Sequence, residues 1–198
     1  QNIHYTLDSS SPTVKSTSYI GAFKLDKSAI IQAAYFFDSI QIGPMLSFRT
    51  DIHKAIGKKV LYNSKWDGYA AQKEQTMTNG IMGGLTYHDE QWQGFTRKID
   101  LIVDLETTQP VHTIAMNFMQ LIGPGVYMPG EMEVLVSSDG INYQSVGKVL
   151  NNISDKESTL TFKRFELKLP QAISTRYIQI KATNPKRGYL FTDEIIVY

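Results

Sequence analysis

The sequence predicts an all-β protein, built as a sandwich or jelly roll. Three observations carry that prediction. Aromatic and β-branched residues dominate the apolar positions, the residue types that fit a pleated, half-buried surface. Turn dipeptides punctuate these runs. No helical pattern of about 10–15 residues separates them, which disfavours a parallel sheet with crossover helices. The chain has 198 residues, 42% hydrophobic and 20% charged, as expected of one large or two small globular domains.

In order along the chain, Ile3–Leu7 and Ala29–Phe37 read as strands, and Asp51–Gly57 as a short helical turn. Leu101–Leu105 and Thr113–Gln120 follow as strands. The clearest unit is Met132–Val149. Met132, Val134 and Val136 alternate, Ser138-Asp139-Gly140 turns, and Tyr143–Val149 returns. Asp-Gly between alternating runs is a strong hairpin signal, because both residues tolerate the positive φ of a tight turn. Thr159–Leu169, Arg176–Ala182 and Glu194–Tyr198 complete the strands. Two long glycine-rich loops remain, Asn63–Trp92 and Leu121–Gly130. Long loops on a rigid scaffold are where binding sites concentrate.

A boundary falls near Ser47–His53. Residues 1–50 read as about four strands, too few for a complete sandwich and marginal alone. They either lack strands at their start or lean on a neighbour. The expected domains are therefore 1–50 and 51–198.

The formal net charge is +1. Residues 1–50 hold four basic and three acidic side chains, and the remainder sixteen of each. That balance argues against a nucleic-acid partner. The chain has no cysteine, which removes disulfides, thiolate metal sites and Cys nucleophiles together. The longest apolar stretch, Ala29–Phe37, is interrupted by Gln32 and falls well short of the ~20 residues of a transmembrane helix. The opening Gln1-Asn2-Ile3-His4 carries no signal pattern and is expected of a processed chain or an excised C-terminal fragment.

Motifs sharpen this picture by resemblance. Tyr5-Thr6-Leu7-Asp8-Ser9-Ser10-Ser11-Pro12 resembles the small Ig-like module at the C-terminal end of chitobiase-type β-N-acetylhexosaminidases, with Ser9 where that module has glycine. Thr76–Gly83, Trp92-Gln93-Gly94-Phe95 and Asp100–Asp104 form a second block. Met119–Pro129, Ser137-Ser138-Asp139-Gly140, Arg176-Tyr177-Ile178 and Asp193–Tyr198 form a third. In this order they resemble a discoidin, or coagulation-factor type C, domain of the kind found in family 32 carbohydrate-binding modules. The combination resembles the accessory tail of a family 20 glycoside hydrolase.

The resemblance implies a discoidin-like jelly roll preceded by an Ig-like module, with binding loops at one end. It implies glycans bearing N-acetylglucosamine, N-acetylgalactosamine or galactose as partners, and the parent hydrolase's catalytic domain as a second partner. It also implies a periplasmic, cell-surface or secreted location. A structural calcium is implied at Asn79 and Glu194, with Asn79-Gly80 standing where the family has Asp-Gly.

A pyranose presents an apolar C–H face and a hydroxyl rim, so aromatic residues with polar tips suit a half-wet site. The loops offer Trp66, Tyr69, Tyr87, His88, Trp92, Tyr127, Arg187 and Tyr189. The candidate carbohydrate ligands are Tyr87, His88, Trp92, Tyr127, Arg187 and Tyr189, although the Trp-Gln-Gly-Phe context of Trp92 reads first as core. Two Asp-Glu dipeptides, Asp89-Glu90 and Asp193-Glu194, match the catalytic pair of family 20 hydrolases in composition only. That catalytic barrel is typically ~250 residues, longer than this chain, and no catalytic residue is assigned. Two rival roles stay open. One is a purely structural module packed on the catalytic domain, marked by an apolar patch on 1–50. The other is an adhesion module for protein or lipid, with Met77, Ile81 and Met82 at the loop tips.

Overall fold

The computed structural model describes residues 2–198; Gln1, on which the fragment expectation partly rests, lies outside them. The chain forms two compact units, Gln1–Ile52 and His53–Tyr198. Among the described residues no helix is long and apolar enough to cross a membrane.

The first unit is a four-stranded antiparallel sheet. Its strands are β1 (Ile3–Thr6), β2 (Thr17–Ser18), β3 (Ala29–Phe37) and β4 (Ile40–Thr50), in the order β2-β1-β3-β4. Phe37 pairs with Ile40 across the two-residue turn Asp38-Ser39. Both turn residues have positive φ, 47° and 69°, the mirror-image geometry that matches strand twist. Ser9, where the resembling module has glycine, keeps a left-handed φ of 64°. Asp8 Oδ1 holds this turn by accepting from Ser10 N at 3.1 Å and Ser10 Oγ at 2.6 Å. Only Ala34 and Phe36 are buried among its apolar strand residues. Every residue of β4 except Thr50 is exposed.

The second unit contains β5 (Lys59–Tyr62), β6 (Gln93–Phe95), β7 (Lys98–Gln120), β8 (Glu131–Ser137), β9 (Gln144–Leu150), β10 (Thr161–Thr183) and β11 (Leu190–Val197). β7 and β10 are each 23 residues long, roughly 75 Å if straight. A domain of this size is only about 40 Å across, so both strands must bend. The register shifts between Lys168 and Ile173 and between Thr175 and Tyr177 mark the corner. The front of β7 pairs with β5 and with the back of β10, which continues to β8 and β9. The back of β7 pairs with β11 and with the front of β10, and β6 lies outside β11. One bent sheet thus makes both layers of a β-sandwich.

Between the layers lies an apolar core that includes Leu101, Val103, Ile114, Met116, Phe118, Val134, Phe165, Ile178 and Ile195. Phe118 and Phe165 meet edge to face at 5.0 Å. The predicted segments 101–105 and 113–120 are two halves of β7, and 159–169 and 176–182 are two halves of β10. The Ser-Asp-Gly hairpin forms as expected. Asp139 Oδ1 accepts from Ile141 N and Asn142 N, both at 2.8 Å, and these bonds hold its carboxyl well below the usual range. The segment 51–57 forms hydrogen-bonded turns rather than a helix, with Ile56 N donating to His53 O. A 3-10 helix, Lys73–Thr78, lies inside the first long loop.

Candidate functional site

A second apolar cluster sits on the other face of the β6-β11-β7-β10 layer. Phe191 and Phe162 both register against Met119, so the three side chains share a face. Their neighbour Phe118 points the opposite way, into the inner core. The loop 63–92 closes over this outer face. Trp92 enters it and stacks on Phe162, with centroids 5.7 Å apart. Its indole Nε1 donates to Gly84 O at 3.0 Å. Gly83 presses so closely on this indole that an added Cβ would lie 2.2 Å from it.

Around this cluster the loops bring aromatic side chains together. Tyr69 is central. It meets Tyr189 at 5.2 Å, Tyr87 at 5.6 Å and Phe191 at 4.8 Å, all edge to face. Tyr87 stacks on Phe191 at 5.0 Å and tilts against His88 at 4.3 Å. Tyr127 reaches the same corner through its backbone. Its N donates to Tyr189 O at 2.9 Å, and Tyr189 N donates to Gly125 O at 2.8 Å. Gly188 makes this crossing possible, because a Cβ there would lie 2.2 Å from Gly125 O and 2.9 Å from the Tyr127 ring. Its φ of 138° also favours glycine.

Of the predicted carbohydrate ligands, Tyr87, His88, Tyr127 and Tyr189 therefore gather at one corner. Tyr87, Tyr127 and Tyr189 are half-buried and His88 is exposed. Arg187 is exposed on the loop beside Tyr189, outside the ring contacts. Trp92 is the correction. At 2% exposure it fills the outer core and offers no face to a sugar. Tyr69 joins the ring cluster although it lies in no motif. Trp66 packs instead on Tyr62 and the inner core.

The two Asp-Glu dipeptides serve the loops. Asp89 Oδ2 accepts from Gly84 N at 2.5 Å, and Oδ1 from Gln91 N at 2.9 Å. In β11, Thr192 registers with Phe118 and Ile195 with Met116, so Asp193 and Glu194 together oppose Asn117. This bulge lets two consecutive carboxylates be buried. Asp193 accepts from Gly83 N at 2.9 Å and from Asn117 Nδ2 at 3.1 Å. Burial pushes its carboxyl up to about 7 against these bonds.

Glu194 Oε1 accepts from Gly80 N at 3.1 Å and lies 3.1 Å from His53 Nε2. Asn79 Oδ1 accepts from Ile81 N at 2.7 Å, and its amide donates to Gln91 Oε1 at 3.3 Å. A calcium ion wants a shell of 6–8 or so oxygen ligands. Here Glu194 Oε1 already accepts from a backbone N–H, and the Asn79 oxygen closes a turn. Among the described residues no three His, Cys, Asp or Glu side chains group to hold a metal.

Residues 1–48 match a family model described as Fn3 associated. No curated protein matches the sequence. Solved structures do resemble the fold. The lectin domain of lectinolysin, complexed with Lewis B antigen, is 17% identical with a TM-score of 0.52, over 74% of this chain and 96% of that one. A Streptococcus pneumoniae fucose-binding module is 16% identical with a TM-score of 0.52, over 74% and 94%. Chitosan-binding module 1 of a Paenibacillus sp. IK-5 chitosanase/glucanase is 16% identical with a TM-score of 0.50, over 74% and 98%. This likeness, with the bent-sheet topology, shows an all-β protein with a discoidin-like β-sandwich.

Proposed function

We propose that the protein is a non-catalytic carbohydrate-binding region, with its site at the corner formed by Tyr69, Tyr87, His88, Tyr127 and Tyr189. The observation that carries this reading is the convergence of three loops on one half-exposed aromatic cluster. Ring edges and faces there suit the C–H face of a pyranose, and the tyrosine and histidine polar atoms suit its hydroxyl rim. The solved structures of similar fold include lectin, fucose-binding and chitosan-binding modules, which supports the same class of ligand.

The finer reading is an accessory region of a β-N-acetylhexosaminidase, exported or at the cell surface. It would hold the enzyme near glycans bearing N-acetylglucosamine, N-acetylgalactosamine or galactose. Tethering raises effective concentration without new catalytic chemistry. Single-site affinity is weak, because each sugar hydroxyl exchanges a good bond to water for one to protein. A glycan array carrying these three sugars, with fucosylated glycans and chitosan oligomers, tests the reading. Retention on a hexosamine or galactose glycan is expected, and no retention on any glycan at millimolar sugar density overturns it.

One observation favours a second, structural role for the first unit. Ile40, Ile42, Leu46 and Phe48 of β4 are all exposed, Ile40 at 65%. An apolar strand of this kind suits packing against another domain of the parent protein. Loss of catalytic-domain stability on deletion of residues 1–52 from the parent would support this role, and an unchanged Tm would remove it.

A further inference from the structure

We propose that His53 does in this fold the work for which a structural cation was expected, making the glycine loop metal-independent. The side chain of His53 has no exposed surface, and that of Glu194 is 1% exposed. A buried carboxylate needs compensating positive charge or N–H donors. Ala55 N donates to His53 Nδ1 at 3.2 Å, so Nδ1 carries a lone pair and Nε2 carries the proton. Nε2 lies 3.1 Å from Glu194 Oε1. Gly80 N donates to the same oxygen at 3.1 Å, from a backbone whose φ of 77° favours glycine. The histidine is set by its own segment. Lys54 N donates to Val197 O at 2.8 Å, which fastens the 53–57 turn to the strand that carries Glu194. The His53 ring also meets Tyr198 edge to face at 6.4 Å.

The consequence reaches the candidate site. Glu194 holds Gly80 and Asp193 holds Gly83, the two ends of the segment that leads into Tyr87 and His88. His53 is therefore a positioning residue. It orients Glu194, which anchors the loop, and touches no ligand itself. Asn79 in place of an aspartate belongs to the same arrangement, since its side chain closes the loop internally and adds no charge for a cation.

The test uses the whole chain, with EDTA and calcium chloride as probes. The wild-type Tm is expected to stay within about 1 °C in EDTA and in millimolar calcium. His53→Leu removes this polar neighbour of Glu194 and is expected to lower Tm by on the order of 5 °C. His53→Gln, whose amide N–H can face the same oxygen, is expected to restore at least half of that loss. A long-range proton–nitrogen NMR spectrum of the wild type is expected to show the His53 proton on Nε2. A calcium-raised or EDTA-lowered wild-type Tm overturns the proposal. So does a proton on Nδ1, a His53→Leu protein as stable as wild type, or a His53→Gln protein no better than His53→Leu.

Discussion

The two faces of the β6-β11-β7-β10 layer carry two cores of opposite character. The inner face packs Phe118, Phe165, Met116 and Ile195 against the second layer, all without exposed surface. The outer face packs Trp92, Met119, Val126 and Phe191 under loops, and its margin is aromatic and half-exposed: Tyr69, Tyr87 and Tyr189. Alternate residues of one strand supply both, Phe118 inward and Met119 outward. The two cores are closed by different means. Strand pairs close the inner core. The outer core is closed by loops, which need glycines at contact points and polar atoms at their tips. The same packing that fixes Trp92 leaves the tyrosine rims at the surface.

The contrast can be broken first from the inside. Phe165→Ala is expected to cost about 3–5 kcal/mol, read as a large fall in the denaturation midpoint. A cost below about 1 kcal/mol would show that the inner core is not the main source of stability.

Asp193, buried in β11, gives the next effect, through pH. The Asp193 carboxyl stands near 7 in the fold against an ordinary value of 3.8. The folded state therefore binds more protons between these values. Its stabilising contribution is full below about pH 4 and is lost as pH rises through 7. Stability is expected to fall by roughly 2–3 kcal/mol from pH 5 to pH 8. Asp193→Asn is expected to flatten that slope, since an amide can still accept from Gly83 N. An unchanged slope in chemical denaturation at the two pH values would count against a buried, proton-holding Asp193.

Gly83→Ala tests the loop closure of the outer core. Its Cβ would meet the Trp92 indole at 2.2 Å, and an expected cost of about 1–3 kcal/mol follows from overpacking. Trp92 fluorescence should shift in this variant and stay put in Phe165→Val. The smallest stability effect belongs to the exposed margin. His88→Ala is expected to change stability by no more than about 0.5 kcal/mol, while weakening glycan retention severalfold.

Much of this was legible in the sequence, for local reasons. Asp139-Gly140 announces its hairpin because the aspartate collects the turn's N–H groups itself. Tyr87, His88, Tyr127 and Tyr189 stood out because loops hold their aromatics near the surface. What was not legible depends on distant partners. The stretches around Glu106–Pro110 and Pro170–Thr175 fall between the strands read from the sequence, yet β7 and β10 run through them because each is the other's neighbour. Trp92 and Tyr69 are both loop aromatics. Only the close approach of Gly83 and the stack on Phe162 bury the first, while contacts with Tyr87, Tyr189 and Phe191 recruit the second. Glu194 shows the same limit: its position in the last strand was readable, but its histidine partner, far away in sequence, was not.

The half-exposed aromatic corner is the proposed sugar site. A nitrogen-edited NMR titration of the whole chain with N-acetylglucosamine, N-acetylgalactosamine and galactose tests it most directly. Saturable shifts are expected at millimolar sugar, concentrated on Tyr69, Tyr87, His88, Tyr127 and Tyr189 and absent from the inner core. Shifts centred elsewhere on the protein, or none with any of the three sugars, would contradict it.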